Sequence, residues 1–312
     1  MKAGLRPALA GASTAGAGAF VGCGVRACYG AGPGSELAPG TDEGNAPAMT
    51  DDLGTPNLRF ERDGSIAWCV IDRPSARNAL TPAMYYGVKR AVQLVNADPE
   101  LAALIVTGTG DVFAPGGDLG GRSDEGETLP TASGVDVLPF LAIRDSGAPV
   151  VAAVNGICQA GGLLIAMMAD IAVVSERATF RVPELLRGIP DATYAAALPA
   201  HVGIAVARDL LLSGRTFGAA EALRIGLVSR VVPHDDLRGA AREAVHQVLR
   251  SAPAARAQVK RMLNERYGHV DYQTMFWAIE HSPELREGMR AFMEKRPPAW
   301  IPADVPVPGP RI

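Results

Sequence analysis

Residues Val154 to Asp170 read VNGICQAGGLLIAMMAD. The apolar run Pro149 to Val154 leads in, a second apolar, helix-like run leads out, and the small-residue turn Ala160-Gly161-Gly162 joins them. An apolar run without alternation suits a strand covered on both faces, as in a parallel sheet. Glycines directly after such a strand let a ligand approach the backbone and leave amide N–H groups unpaired for it. One turn further on, where an active-site floor would be expected to carry a charge, stands Leu164.

A second turn of the same kind lies upstream. Leu101 to Thr107 is another buried strand, and Gly108-Thr109-Gly110-Asp111-Val112-Phe113-Ala114-Pro115-Gly116-Gly117-Asp118-Leu119 follows it. Two N–H donors converging from separate loops, one of them on a helix N-terminus, are what an oxyanion hole requires. Neither turn has the glycine spacing of a phosphate loop or a dinucleotide fold. Around this pair, Leu58 to Ile71 reads as a hairpin turning at Asp63-Gly64. Thr81-Pro82 opens an amphipathic helix reaching about Asn96. Ile171 to Val174 is a further strand. Helices are expected at Ala192–Val202, Ala205–Ser213, Ala219–Ile225 and Leu237–Leu249, with a helical tail from Pro253 to Lys295. Strands alternating with helices define an α/β protein.

Composition narrows the partners. The chain has 312 residues, is 48% hydrophobic and carries a formal charge of −3, so neither nucleic acid nor an anionic membrane is an expected partner. The best apolar run, Leu163 to Val174, is short and broken by Asp170, which predicts a soluble protein without a spanning segment. Cys23, Cys28, Cys69 and Cys158 lack metal-ligand spacing, and free thiols in a reducing cytoplasm are expected. Residues 1–56 are rich in Gly and Ala without apolar periodicity. They are read as a disordered leader, or as an over-extended start with Met49 the true first residue. The core is expected over 57–250 and a C-terminal helical region over 251–312.

The chain resembles the crotonase, or enoyl-CoA hydratase/isomerase, superfamily from about Leu58 to Pro298. The likeness rests on Asp72-Arg73-Pro74-Ser75-Ala76-Arg77-Asn78-Ala79-Leu80, on Phe113 to Leu119, and on Val154-Asn155-Gly156 with Ala160-Gly161-Gly162. Phe180-Arg181-Val182-Pro183-Glu184 and Ala219-Ala220-Glu221-Ala222 with Ile225-Gly226-Leu227-Val228 complete it. The resemblance implies a spiral of ββα repeats and a helical C-terminal region used for trimerisation, commonly as a homotrimer or a dimer of trimers. It implies an acyl-CoA substrate, with coenzyme A arriving as part of that substrate and no metal or redox cofactor. By the same resemblance, the amides of Gly117 and Gly161 clasp the thioester oxygen. Arg73, Ala76, Arg77, Ala79 and Leu80 carry the nucleotide, largely through backbone groups, with Arg122 and Lys295 as phosphate partners. The far wall of the acyl pocket falls in the loop Asp124–Asp136.

Hydratases of the family pair two glutamates. The downstream one matches Glu184, whereas the other falls on Leu164, which cannot move a proton. A single acid suffices to shift a double bond, and apolar surroundings would raise the pKa of Glu184 toward neutrality. Asp191 is the second candidate, either as the N-cap of the helix that follows or as a proton carrier or nucleophile, as in the family's dienoyl isomerases and aryl-CoA dehalogenases. A non-catalytic acyl-CoA carrier is the alternative from another class. His201 is the one histidine expected near the pocket, packing against its neighbours. No Gly-x-Ser-x-Gly elbow supports a serine hydrolase.

Overall fold

The computed structural model describes residues 51–120, 124–127, 137–268, 270, 275 and 281–301. The leader up to residue 50, Arg122 and most of the Asp124–Asp136 loop lie outside the described residues. Asp51 to Pro56 do not behave as leader: Leu53 and Thr55 are buried, and Leu53 belongs to the main core.

Strand β1 (Leu58–Asp63) pairs antiparallel with β2 (Ile66–Ile71). The turn is Gly64-Ser65 rather than Asp63-Gly64, because Asp63 still pairs with Ile66 and the left-handed φ of +60° falls on Gly64. Glycine adopts that backbone without a Cβ clash. Helix α1 (Pro82–Ala97) starts as its sequence predicts: the Thr81 hydroxyl accepts the Met84 N–H at 3.2 Å and Pro82 takes the first helical position.

Strands β3 (Ala103–Gly108) and β4 (Val112–Ala114) come next, then α2 (Phe140–Arg144). Strands β5 (Val150–Val154) and β6 (Ile157–Gln159), helix α3 (Gly161–Met168), and strands β7 (Ile171–Ser175) and β8 (Thr179–Arg181) follow. In each successive pair the first strand joins one sheet and the second joins another. The larger sheet therefore runs β1-β2-β3-β5-β7 and the smaller begins β4-β6-β8. The chain continues through a 3-10 turn (Leu185–Arg187), α4 (Ala192–Ser213), β9 (Phe217–Gly218), α5 (Ala219–Arg224) and β10 (Arg230–Val232), β9 and β10 each closing one sheet. Helices α6 (Leu237–Leu249), α7 (Pro253–Asn264) and α8 (Pro283–Met293) complete the described chain. This is the α/β spiral expected.

The near-continuous apolar strands are covered on both faces. Leu104, Val106, Ala152 and Val154 join α1 and α3 in the main core, while Ile105, Val151, Ala153 and Val173 meet Leu237, Ala241 and Val245 of α6. The alternation along each strand sends neighbours to opposite faces.

Helix α4 joins the two helices expected at Ala192–Val202 and Ala205–Ser213. At 22 residues it is long and apolar enough to cross a membrane by length and composition alone, a test that a core helix of a soluble protein also passes. Gly203, with a φ of 76°, kinks the helix between those two segments, where the sequence divides them.

Candidate active site

The two glycine turns leave neighbouring strands. Strands β4 and β6 pair in parallel, Val112 against Ile157 and Ala114 against Cys158, and each runs from its C-terminal end into a turn. Gly161 opens α3, so its N–H is one of the four that a helix N-terminus leaves without an internal acceptor. In the other turn Leu80 donates its N–H to Gly116 O at 2.9 Å and accepts the Asp118 N–H at 2.8 Å. Because successive N–H groups of extended backbone point to opposite sides, that of Gly117 is directed away from Leu80. The turns touch. A Cβ built on Gly116 would lie 2.5 Å from the Ala160 Cβ and 3.6 Å from the Gly161 nitrogen.

Side chains distant in sequence hold these turns. The buried Arg73 guanidinium donates to Asp118 at 2.8 Å, to Ala79 O at 2.9 Å and through two nitrogens to Asp124. Its hydrogen bonds hold both carboxyls below the usual carboxylate range. The Arg73 side chain is thus a clasp on the turn that carries Gly117, which leaves only its backbone groups for the nucleotide contact expected of this segment. Asn78 and Asn155 both donate to Val112 O, at 2.7 and 3.3 Å, and accept the N–H groups of Arg73 and Gly108. Ala76 and Ala79 are half-buried, Leu80 is buried, and Arg77 is exposed on a left-handed backbone. Lys295 is exposed, just beyond α8.

Glu184 sits at the start of the 3-10 turn, its carbonyl accepting the N–H groups of Arg187 and Ile189. Its side chain is 6% exposed, and Oε2 has no hydrogen-bond partner among the described residues. Burial, and then the charge of Asp191, push its carboxyl up to about 8. Arg187 does not pair with it. That guanidinium lies over the Phe292 ring of α8, 4.9 Å from its centre. Asp191 caps α4, its Oδ1 accepting the N–H groups of Thr193 at 2.8 Å and Tyr194 at 3.0 Å. Burial raises its carboxyl also. Leu164 is buried within α3.

Two tyrosines that sequence reasoning passed over belong to this site. Tyr194 is fully buried and its hydroxyl donates to Ala160 O at 2.6 Å, fixing the residue that precedes Gly161 in its unusual backbone of φ 48° and ψ −132°. Tyr85 of α1 reaches between the glycines. A Cβ on Gly161 would lie 2.0 Å from its hydroxyl oxygen, and one on Gly117 would lie 3.7 Å away. Nothing in the pattern of α1 distinguishes Tyr85 from its neighbour Tyr86; only the fold does. His201 instead shares a 3.1 Å hydrogen bond with the Tyr267 hydroxyl, the packing role expected of it. Cys69 and Cys158 are free and buried, burial pushing the Cys69 thiol up to about 12. Among the described residues no cluster could hold a metal ion.

The charges of Glu184 and Asp191 act on the Tyr85 phenol, whose hydroxyl lies against both glycine turns, so the two acids and the two turns share one part of the fold. The chain belongs to the enoyl-CoA hydratase/isomerase family, whose model matches residues 61–302, and it is a hydratase-type enzyme of that family. It is 35% identical over 257 residues to a carnitinyl-CoA dehydratase of Salmonella paratyphi A, covering 78% of this chain and 98% of the relative. Among solved structures it matches an enoyl-CoA hydratase/isomerase from Pseudoalteromonas atlantica T6c at 30% identity and a TM-score of 0.69, covering 78% of this chain and all (100%) of that one. A carnitinyl-CoA hydratase from Mycobacterium avium matches at 30% identity and a TM-score of 0.67, covering 78% and 98% respectively.

Proposed function

We propose that this enzyme adds water across the double bond of a 2-enoyl-CoA, and removes it in reverse, with Glu184 as its single acid/base. The Gly117 and Gly161 N–H groups hold the thioester oxygen as it gains charge. The protonated Glu184 delivers its proton to Cα through one carboxyl oxygen, while the other oxygen takes a proton from the water that bonds to Cβ. The C=C π bond is lost, one C–H and one C–O bond form, and Glu184 ends protonated as it began. The observation that carries this reading is the buried, unpartnered Glu184 Oε2 on a carboxyl held at about 8, which keeps the acid form dominant at neutral pH. Asp191 assists through its charge, which strengthens the hold of Glu184 on its proton.

The dehydratase and hydratase relatives support water chemistry, and a carnitinyl thioester is the first substrate to assay. The absence of an acid at Leu164 favours a second reading, double-bond migration by Glu184 alone. That reaction starts from the carboxylate, since a proton must first be removed. The two separate by pH: kcat/KM for hydration should fall as pH rises through about 8, whereas migration should rise toward the same value. Glu184→Gln should abolish either. A pH profile with no inflection between 7 and 9, or an active Glu184→Gln enzyme, overturns the role of Glu184. Assembly as a trimer or dimer of trimers belongs to the same proposal. Ile204 and Leu212 of α4 are large apolar side chains left exposed, which partner copies would cover.

A further inference from the structure

Hydration needs a polar group to hold the attacking water, and Leu164 cannot do so. The side chain of Tyr85 brings a polar group to the two glycine turns. Its hydroxyl oxygen lies beside the α-carbons of both glycines that face the substrate carbonyl, 2.0 Å and 3.7 Å from the positions a Cβ would take on Gly161 and Gly117. Its ring is braced edge-on by Phe140, with centroids 6.0 Å apart and planes at 79°, so the hydroxyl is presented by a packed side chain. Among the described residues that hydroxyl makes no hydrogen bond, whereas the fully buried Tyr194 hydroxyl is committed to Ala160 O. Asp191 is a poorer candidate, since its Oδ1 already accepts two backbone N–H groups.

We propose that the Tyr85 hydroxyl is the water-positioning group of the hydration reaction, accepting or donating a hydrogen bond to the oxygen that joins or leaves Cβ. A phenol can do both, having one donor and lone pairs to accept with. Burial, with the charges of Glu184 and Asp191, holds the Tyr85 phenol above its ordinary value. It therefore stays neutral and orients water without taking its proton, which goes to Glu184. The inference rests on Glu184 being the acid/base, but it concerns only the step that involves water.

That restriction supplies the test. In D2O, a saturated acyl-CoA bound in the site exchanges its α-proton through Glu184 and the two N–H donors, with no water added at Cβ. Tyr85→Phe keeps the ring and its packing on Phe140. It should lower hydration of a trans-2-enoyl-CoA by about a hundredfold, the scale of a misplaced reactant, while α-proton exchange stays within about twofold of the parent. Equal loss of both activities overturns the proposal, because a packing role predicts that, and so does undiminished hydration. Asp191→Asn, which preserves the helix cap, also removes a charge that holds the Glu184 proton, so its hydration is compared at the low-pH limit and its exchange at the high-pH limit, where the ratio of the two limiting rates should match the parent. A selective loss of hydration there would give the water to Asp191 instead. Should the phenylalanine variant fold poorly, Tyr85→Leu is read by the same ratio. A parent enzyme that neither hydrates nor exchanges would remove the underlying reading of Glu184 rather than this one.

Discussion

Replacing Glu184 by glutamine should make the protein more stable as it makes it inactive, and by an amount that depends on pH. The folded protein holds the Glu184 proton up to about pH 8, against an ordinary 4.5 for an exposed glutamic acid. Between those values the folded state binds more protons than the unfolded one, so stability contributed at this position falls as pH rises through the window and is flat on either side. Each pH unit corresponds to about 1.4 kcal/mol, so burying Glu184, which the unfolded chain would ionise, costs the fold about 3 kcal/mol at pH 7 and about 5 kcal/mol above pH 8. Glutamine has the same shape and never ionises. At pH 4.5 and below, parent and variant should differ only through the hydrogen bonding of amide against acid, within about 1 kcal/mol. From there to pH 8 the advantage of the variant should widen by several kcal/mol. Asp191, whose carboxyl is also raised by burial, tilts both proteins alike and largely cancels from the difference. Urea unfolding of the pair at pH 4.5, 7 and 9 measures it. A gap that stays constant across that range, or a variant less stable than the parent at pH 9, would refute the claim that this carboxyl is buried without compensation.

Other perturbations test the remaining parts of the site. Gly161→Pro removes one of the two N–H donors and should lower turnover by about a hundredfold or more, as for other oxyanion donors; retained activity would place the carbonyl elsewhere. Leu164→Glu inserts a second acid into a buried position, and should destabilise the fold by a few kcal/mol while raising hydration above the parent. Hydration by the unmodified enzyme faster than about 10 s⁻¹ would show that Leu164 is no handicap. A chain starting at Met49 should match the full chain in Tm and activity. One starting at Asn57 should melt lower, since it loses the buried Leu53; equal melting of all three would mean that Leu53 contributes nothing.

How much of this was legible beforehand follows the range of the interactions. Apolar runs, the Thr81-Pro82 helix start and the kink at Gly203 are local signals, and the elements formed there. Gly161 at the start of a helix and the burial of Glu184 follow from short local motifs, the glycine turn after an apolar strand and the Pro183-Glu184 step. The hairpin turn slipped by one residue because Asp63-Gly64 and Gly64-Ser65 are both good turn pairs, and register decided between them. The clasp made by the Arg73 side chain was not legible because its acids are remote: Asp118 and Asp124 stand 45 and 51 residues away. Tyr85 was invisible for a related reason. Its importance arises from where α1 crosses the second glycine turn, a tertiary fact that helix periodicity does not encode.

The adjacency of β4 and β6 has a consequence for how such an enzyme can change. Both candidate carbonyl-holding groups are main-chain amides leaving the ends of neighbouring parallel strands, so their spacing is set by sheet hydrogen bonding, at about 4.8 Å between strands. Most point substitutions cannot erase a peptide N–H; only proline, a clashing side chain or a shift of register can. The groups that move protons and place water are side chains, each replaceable by a single codon change. A lineage with this framework can therefore exchange a glutamate for a leucine, or recruit a tyrosine from a neighbouring helix, without rebuilding its hold on the substrate. Inheritance and invention are assigned here to different parts of the same polypeptide: the backbone keeps the family of ligands, and the side chains are free to try new reactions on them.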